Sequence, residues 1–335
     1  MLNQDQFLLD NGFFGWIYKI LTPIEWLMTQ VIALFHKLLT MVGMPAIGSS
    51  WILSIIFLVL VVHAFILPIY IKQMKSMRKM QALQPKMQRI QNKYKGKNDQ
   101  ASKEALGREM QQFYKENDFN PAGSCLPMLV QGPVFMCMFY TLSAIPFIAR
   151  GKRAALGAFD VETARQFSET KLLGVGVSDT FSSANVSGRI VMGVFIFLMC
   201  LCMWYMQFNN MRKNLPKESL EGQQLMMQRM MTWGMPLMYI FSGVTMPFAV
   251  LVYWLTNNIC NMLRSLWQVY SFPTPNSPAA FAKEERDHRK ENERRAKAGQ
   301  VSLEEEELIQ AKELAERKET EGYQRKQPQR KKKKK

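Results

Sequence analysis

The sequence predicts an all-α polytopic membrane protein, and three observations lead to that fold class. Residues Ser50–Ile71 form an apolar run of 22 residues in which His63 is the one ionisable side chain. About 20 such residues suffice for a helix to cross a bilayer. Three more apolar stretches follow, at Ala122–Ala149, Ile190–Phe208 and Met230–Leu263. The net charge of +16 lies mainly between and after these stretches, a pattern typical of multi-pass membrane proteins.

The N-terminal segment, residues 1–49, precedes the first span and contains an apolar stretch at 16–42 that Lys19, Glu25 and Lys37 interrupt. Its apolar side chains recur at helical spacing: Trp16, Ile20, Ile24, Leu27, Val31, Leu34 and Leu38. We expect an amphipathic helix that lies at the extracytoplasmic membrane interface. A sixth crossing is the alternative interpretation.

Five spans account for the apolar stretches. We place them at residues 50–71, 122–148, 190–208, 230–245 and 247–267. The last apolar stretch is too long for one crossing, and Gly243 and Pro247 divide it into two. Prolines inside the second span do not argue against a helix, since neighbouring helices can satisfy the freed carbonyl groups.

The connecting segments set the orientation. Residues 72–121 hold 12 Lys and Arg against 5 Asp and Glu, and residues 209–229 and 268–335 are also rich in Lys and Arg. The positive-inside rule places these three segments in the cytoplasm. Residues 149–189 then form an extracytoplasmic loop, with the N-terminus outside and the C-terminus inside.

Residues 72–121 predict a cytoplasmic antiparallel helical hairpin. Apolar residues alternate at intervals of three and four along its first arm, a heptad seam: Met80, Leu83, Met87, Ile90 and Tyr94. Leu106, Met110 and Phe113 form a second stripe. Pro85 interrupts the first arm and is expected to begin a new helix there. The seam either holds the hairpin together or offers a pliable methionine-rich surface to partners.

The C-terminal tail is dense in charge and predicts a solvated helix or a disordered segment. It ends in a basic run: Arg330, Lys331, Lys332, Lys333, Lys334 and Lys335. Such a run binds RNA phosphates through counterion release, so contact with a ribosome is one interpretation. A solvated tail or contact with anionic lipid is the other.

The sequence contains no enzyme motif: it has no nucleotide-binding glycine loop, no HExxH and no GxSxG. We therefore predict no enzyme, no metal and no cofactor. No acidic residue lies in a predicted span, which weighs against an ion-coupled transporter. Uncharged polar side chains do occur there and either line a hydrophilic groove with His63 or bond neighbouring helices together. The groove candidates are His63, Gln131, Tyr205, Gln207, Tyr253, Asn257 and Asn258.

Two segments carry a family resemblance. Residues 125–135 read CLPMLVQGPVF after FNP at 119–121, and residues 246–258 read MPFAVLVYWLTNN. Their order, spacing and topology resemble the YidC/Oxa/Alb family of membrane-protein insertases, over about residues 2–270. The lack of a large domain before the first span resembles the Gram-positive and actinobacterial branch.

The resemblance implies a five-helix insertase core, monomeric, with a hydrophilic groove open to cytoplasm and lipid. The groove would receive the translocated end of a nascent membrane protein, alone or with the Sec translocon. The substrate helix would slide out along the third and fifth spans, where the candidates are Ile196, Met203, Val250 and Trp254. The hairpin would recruit substrates and partners through Met80, Met87, Ile90, Met110 and Phe113.

One position departs from the family pattern. The family's first span carries an arginine in the groove five residues before the proline, and here His63 stands five residues before Pro68. Arginine is always charged, whereas histidine is charged only part of the time near neutral pH. A small transporter or channel subunit, and a ribosome-anchoring membrane protein without insertase activity, remain the alternative functions.

Overall fold

The computed structural model describes residues 12–97, 99–119, 122–216 and 222–320, and these divide into two compact units. The first unit extends to Ala280 and the second begins at Phe281. In the described residues of the first unit the regular structure is helical apart from one small hairpin. Its helices are α1 (Gly12–Met41), α2 (Ser49–Lys93), α3 (Gln100–Glu116), α4 (Ala122–Ala149), α5 (Val161–Ser168), α6 (Val186–Lys213), α7 (Gly222–Arg229), α8 (Met235–Thr245) and α9 (Phe248–Ser271).

Helix α2 is continuous for 45 residues, through both Pro68 and Pro85. The predicted first span and the first arm of the hairpin are therefore one helix, and the prediction that Pro85 begins a new helix was wrong. Each proline lacks the N–H that would bond the carbonyl four residues earlier, but the turns before and after it are intact. The loss of one hydrogen bond at each proline does not end a helix that is otherwise regular.

The five predicted spans each fall within helical segments. Three helices are long and apolar enough to cross a membrane, at Ser49–Lys93, Gln131–Ala149 and Val186–Lys213, among the described residues. The fourth predicted span lies in a longer helical segment than expected, in which a π-helical turn at Met230–Gly234 joins α7 to α8. Pro236 follows this turn, and a π-turn is one way a helix accommodates a local disruption. The five-crossing topology remains a prediction.

Helix α1 presents its predicted apolar stripe outward. Trp16, Ile20, Ile24, Leu27, Leu34 and Leu38 are 42% to 62% exposed. The opposite face packs on α2 and α4 and buries Tyr18, Glu25 and Ile32. Tyr18 stacks on Tyr140 of α4 with ring centroids 3.8 Å apart. An outward apolar face is consistent with contact with lipid, either at the interface or across it.

The segment between α4 and α6 folds over one end of the helix bundle. It holds α5 and a short antiparallel hairpin of β1 (Lys171–Leu172) and β2 (Val175–Gly176). Trp51 of α2 packs against Phe159 and Phe167, with ring centroids 5.5 Å away in both cases, and all three side chains are at most 1% exposed. We call this aromatic region the capped end of the bundle.

Two backbone hydrogen bonds attach the same segment to α9. The first N–H groups of a helix have no partner within the helix. Here the N–H of Phe248 donates to the carbonyl of Asp179 and that of Ala249 to the carbonyl of Val177, each at 2.8 Å. The capped end is therefore closed by hydrogen bonds as well as by apolar packing.

The predicted hairpin is present, formed by the last turns of α2 and by α3. Glu109 of α3 accepts hydrogen bonds from Lys93 and Tyr94, both at 2.8 Å. These two donors, Lys93 first, hold the pKa of the Glu109 carboxyl below its ordinary value. Asp99 caps α3 by accepting from the N–H of Ser102 at 2.9 Å. The seam residues Met80, Met87, Ile90, Met110 and Phe113 are half-buried.

The segment after α9 binds back to two helices of the bundle. The N–H of Thr274 donates to the side-chain oxygen of Asn214 at 2.8 Å, just beyond the end of α6. The hydroxyl of Thr274 donates to the side chain of Gln81 on α2. Thr274 is buried. Helix α2 is thus anchored beyond the bundle, close to the base of the hairpin.

The second unit is a pair of charged helices. Helix α10 (Pro278–Lys297) begins at the boundary, and α11 (Leu303–Thr320) follows a short turn. The side chain of Asn292 accepts from the N–H of Leu303 at 2.9 Å, and Arg295 pairs with Glu306. Of the two predicted forms of the tail, a solvated helix describes this part. The predicted basic run at residues 330–335 lies outside the described residues.

Candidate functional site

At the end of the bundle opposite the capped end, polar side chains of α2, α4 and α9 face one another. His63 and Tyr70 are seven residues apart on α2, so they share one face. Gln131 lies on α4. Asn257, Asn261 and Arg264 follow at intervals of four and three along one face of α9. We call these six residues the polar end.

Hydrogen bonds connect the polar end across all three helices. The hydroxyl of Tyr70 donates to Oε1 of Gln131 at 2.9 Å. Nε2 of Gln131 then donates to Oδ1 of Asn257 at 3.3 Å. A hydrogen-bonded series of amide and hydroxyl groups therefore lies between helices whose other faces are apolar.

Arg264 supplies a charge to this site. Its Nη2 donates to Oδ1 of Asn261 at 2.6 Å, and its guanidinium carbon lies 3.3 Å from the ring centroid of Tyr70. The same Asn261 oxygen lies 3.4 Å from Nε2 of His63. Nδ1 of His63 lies 2.9 Å from the carbonyl of Val59. The side-chain amide of Asn261 thus lies between His63 and Arg264.

A small cavity lies beside these residues. Its volume is about 10 Å³, near the ~10–15 Å³ that one water molecule requires. His63, Tyr70, Gln131, Tyr253 and Asn257 contribute its polar lining, together with the apolar side chains Leu58, Val59, Val62, Ile66, Val134 and Met138. The lining can hold a small polar group. The described residues contain no cluster of His, Cys, Asp and Glu with the arrangement of a metal site.

Four of the seven predicted groove residues meet here, and three do not. His63, Gln131, Tyr253 and Asn257 line the cavity. Asn258 lies about 100° around α9 from Asn257 and donates to the carbonyl of Trp254 at 2.8 Å. Tyr205 and Gln207 lie on α6, and Tyr205 is 42% exposed. Both α6 residues lie outside the cavity lining, and their place in a groove stays a prediction.

Three of the four predicted slide residues are buried between helices. Ile196, Met203 and Val250 are 7% exposed or less, because α6 and α9 pack closely together. Trp254 is half-buried and contacts Tyr239 of α8. The outward face of α6 is formed instead by Val194, Phe197, Leu201 and Tyr205. A helix moving along α6 would meet this second set.

Sequence reasoning missed Tyr70, Asn261 and Arg264. The signal was available as a helical spacing: Asn257, Asn261 and Arg264 recur at four and three residues, in register with His63 and Tyr70 at seven. Arg264 follows the apolar stretch Met230–Leu263 directly, close to the end of the fifth predicted span, so it does not stand out as a residue of the site.

Comparison with known proteins identifies the family. The model of the family described as 60Kd inner membrane protein matches residues 42–274. A protein of Bifidobacterium longum named membrane protein insertase YidC is 65% identical over 335 residues, the full length of both chains. The chain belongs to this family.

Less similar proteins extend the comparison. A Tropheryma whipplei protein, also named membrane protein insertase YidC, is 29% identical and covers 80% of this chain and 89% of its own. A crystal structure titled as an active YidC insertase with its first transmembrane domain resolved is 19% identical, with a TM-score of 0.44 over 78% of this chain and 47% of that chain. The family and the helical structure confirm the predicted class, an all-α polytopic membrane protein.

Proposed function

We propose that this chain is a membrane-protein insertase and assembly chaperone of a bacterial cell membrane. The observation that carries the proposal is the contrast between the two ends of the bundle: one end is closed by aromatic packing, and the other holds six polar side chains between apolar helices. A polar site that ends inside the bundle suits partial entry of a polar segment rather than passage through a pore. The 65% identical relative named as an insertase supports the same function.

Insertion of a substrate in this way does not need the free energy of nucleotide hydrolysis. Each Leu, Ile, Val or Phe at the centre of a span contributes about −0.3 to −0.6 kcal/mol, against about +2.5 to +3.5 kcal/mol for Asp, Lys or Arg. A short apolar helix therefore offsets the transfer of only a few charged residues. We infer that the substrates are small membrane proteins with short translocated segments, such as the c subunit of F-type ATP synthase. The polar end would shorten the dry path that those segments cross.

The same proposal fixes the orientation. The polar end faces the cytoplasm, the capped end faces outside, the N-terminus is outside and the tail is cytoplasmic. The excess of Lys and Arg in residues 72–121 and 268–335 supports this arrangement. The hairpin would receive substrates, and the Sec translocon would act as an optional partner. No covalent chemistry is involved, so the protein is not an enzyme in this proposal.

Reconstitution tests the proposal directly. The purified chain is placed in liposomes, and a short substrate is scored for protease protection of its translocated segment. We expect protected substrate in these vesicles and none in protein-free vesicles. Leakage of an entrapped small solute is measured in parallel. Solute flux without substrate insertion would support a transporter or channel subunit instead.

The basic tail supports contact with a ribosome through rRNA. Removal of residues 324–335 should weaken cosedimentation with ribosomes, with the largest loss at low salt, because each phosphate contact releases a counterion. A matched control replaces the same residues with a Gly and Ser segment of equal length. Cosedimentation that does not change between low and high salt would contradict this role of the tail.

A further inference from the structure

Arg264 is a cation inside the bundle that no carboxylate balances. The guanidinium carries five N–H donors. Nη2 uses one of them on Asn261, while Nη1 is buried and has no hydrogen-bond partner among the described residues. No Asp or Glu in the described part of the chain lies within ion-pair distance of it. An ionisable group at membrane depth is costly, and that cost makes it a candidate for function.

His63 does not share this charge. Its Nδ1 lies 2.9 Å from a carbonyl oxygen, so Nδ1 carries a proton. Its Nε2 lies 3.4 Å from Oδ1 of Asn261, which is too long for a strong hydrogen bond. Protonating Nε2 as well would place an imidazolium beside the Arg264 guanidinium, and like charges repel strongly where water is scarce. The geometry assigns His63 the neutral Nδ1–H form and leaves Arg264 as the cation.

The ring of Tyr70 fixes where that cation points. The guanidinium stacks on the ring face at 3.3 Å, and the Tyr70 hydroxyl is held by Gln131. Asn261 fixes the other edge of the guanidinium. The remaining N–H groups are therefore held in place before any ligand arrives, and an arginine fork matches the geometry of a carboxylate.

We propose that Arg264 is the carboxylate-binding group of the polar end, and that it selects substrates whose translocated segment contains Asp or Glu. Asn261, which accepts a hydrogen bond from Arg264, is the positioning residue for it. The inference rests on the proposed insertase function and adds a substrate class to it. The positive charge that would be expected at residue 63 on α2 is provided from α9, on the facing helix.

The test uses two substrates that differ only in their translocated segment, one with Asp and one with Asn at the same position. The chain is reconstituted in liposomes as before, and the ratio of Asp to Asn substrate inserted is measured. Arg264→Gln should lower this ratio by about tenfold, as expected for the loss of one charge-assisted hydrogen bond. Arg264→Lys, which keeps the charge, should retain part of the preference. His63→Ala should lower the ratio less than Arg264→Gln does.

A matched control separates position from charge. Arg212 near the end of α6 stacks on Phe208 at 5.4 Å but lies outside the polar end, so Arg212→Gln should leave the ratio unchanged. The unfolding midpoint of each variant in detergent reports its stability. If Arg264→Gln is unstable, a charge reversal is used instead. Arg264→Glu is combined with a substrate that carries Lys in its translocated segment, and insertion of this substrate is expected to be restored.

The outcomes separate the two proposals. Equal losses for the Asp and Asn substrates in Arg264→Gln would show a structural role only and would overturn the assignment. The absence of rescue by the Lys-containing substrate would overturn it too. Failure of the unmodified chain to insert even the Asn substrate would instead refute the insertase proposal on which this inference rests.

Discussion

The capped end and the polar end are built from the same helices. Helix α2 contributes Trp51 to the capped end and Tyr70 to the polar end, and these residues are 19 positions apart, about 28 Å along a helix. That distance is close to the ~30 Å thickness of the hydrocarbon core of a bilayer. Along α2 and α9 the interior thus changes from aromatic to polar over one membrane thickness.

The two ends differ in what holds them together: aromatic packing at the capped end and hydrogen bonds at the polar end. At the capped end, Trp51, Phe159 and Phe167 exclude solvent and their rings contact one another. At the polar end, amide, hydroxyl and guanidinium groups bond across helices beside a cavity the size of one water molecule. The first arrangement resists opening, whereas the second can exchange its partners for those of a ligand. Three substitutions test this contrast.

The largest effect on stability is expected at the capped end. Trp51→Ala removes a fully buried indole that contacts the rings of His36, Phe159 and Phe167, and large-to-small changes of this kind cost about 3–5 kcal/mol. The measurement is the free energy of unfolding in detergent. Trp26→Ala on α1 is the matched control, because Trp26 is 52% exposed and no cavity forms. Equal losses for the two variants would break the comparison.

A smaller loss is expected at the polar end. Gln131→Leu deprives both the Tyr70 hydroxyl and the Asn257 oxygen of their partner, and unsatisfied buried polar groups cost about 1–3 kcal/mol. The fraction of substrate inserted should fall by more than the loss of folded protein accounts for. Gln111→Leu on α3 is the control, since Gln111 is exposed and lies outside the cavity lining. Full activity in the Gln131 variant would show that the polar network has no part in function.

The smallest effect is expected in the hairpin, far from both ends. The Glu109 carboxylate stabilises the contact between the two arms of the hairpin. This stabilisation is fully present above the ordinary glutamate pKa of ~4.3 and is lost as the pH falls through the lowered pKa of Glu109. Spin labels at Arg89 and Gln112, in a chain with its native cysteines replaced, report the distance between the two arms. We expect a broader distance distribution in Glu109→Gln than in the parent.

The pH dependence sharpens this test. The parent distribution should broaden as the carboxyl of Glu109 takes up a proton, while Glu109→Gln should be broad throughout that range. Glu104→Gln serves as the control, because Glu104 accepts from Gln100 on the same helix and does not bridge the arms. Broadening of the parent and of Glu109→Gln over the same pH range would assign the effect to another group, such as the Asp99 cap.

Much of the helical architecture could be predicted from the sequence, since apolar length alone locates a span. The predicted N-terminal helix and both arms of the predicted hairpin are helices of the structure, and the predicted spans fall within helical segments. Pro85 shows where local rules failed: a helix tolerates one lost hydrogen bond, so the proline did not end α2. The folded segment with α5 and the β-hairpin was not anticipated, because its stability comes from contacts with Trp51 and α9, distant in sequence.

The polar end could be predicted only in part. His63, Gln131 and Asn257 stand out as polar residues within apolar runs. Arg264 does not, because a charge at the edge of a span looks the same whether it faces water or turns inward. Only the packing of α9 against α2 shows that it stacks on Tyr70. For the same reason the outward face of α6 could not be distinguished from its packed face.

Because α2 is continuous from the bundle into the hairpin, movement of the hairpin would be transmitted along this helix into the bundle. From Pro68 to Lys93 the helix runs 25 residues, about 37 Å. A proline is a common site of helix bending, and a bend of about 10° at this one would move the far end by about 6 Å. Because Pro68 lies between His63 and Tyr70, such a bend would also shift the two faces of the polar end against each other. Displacement of the hairpin by a bound nascent chain would thereby be transmitted mechanically to the site that receives its polar segment.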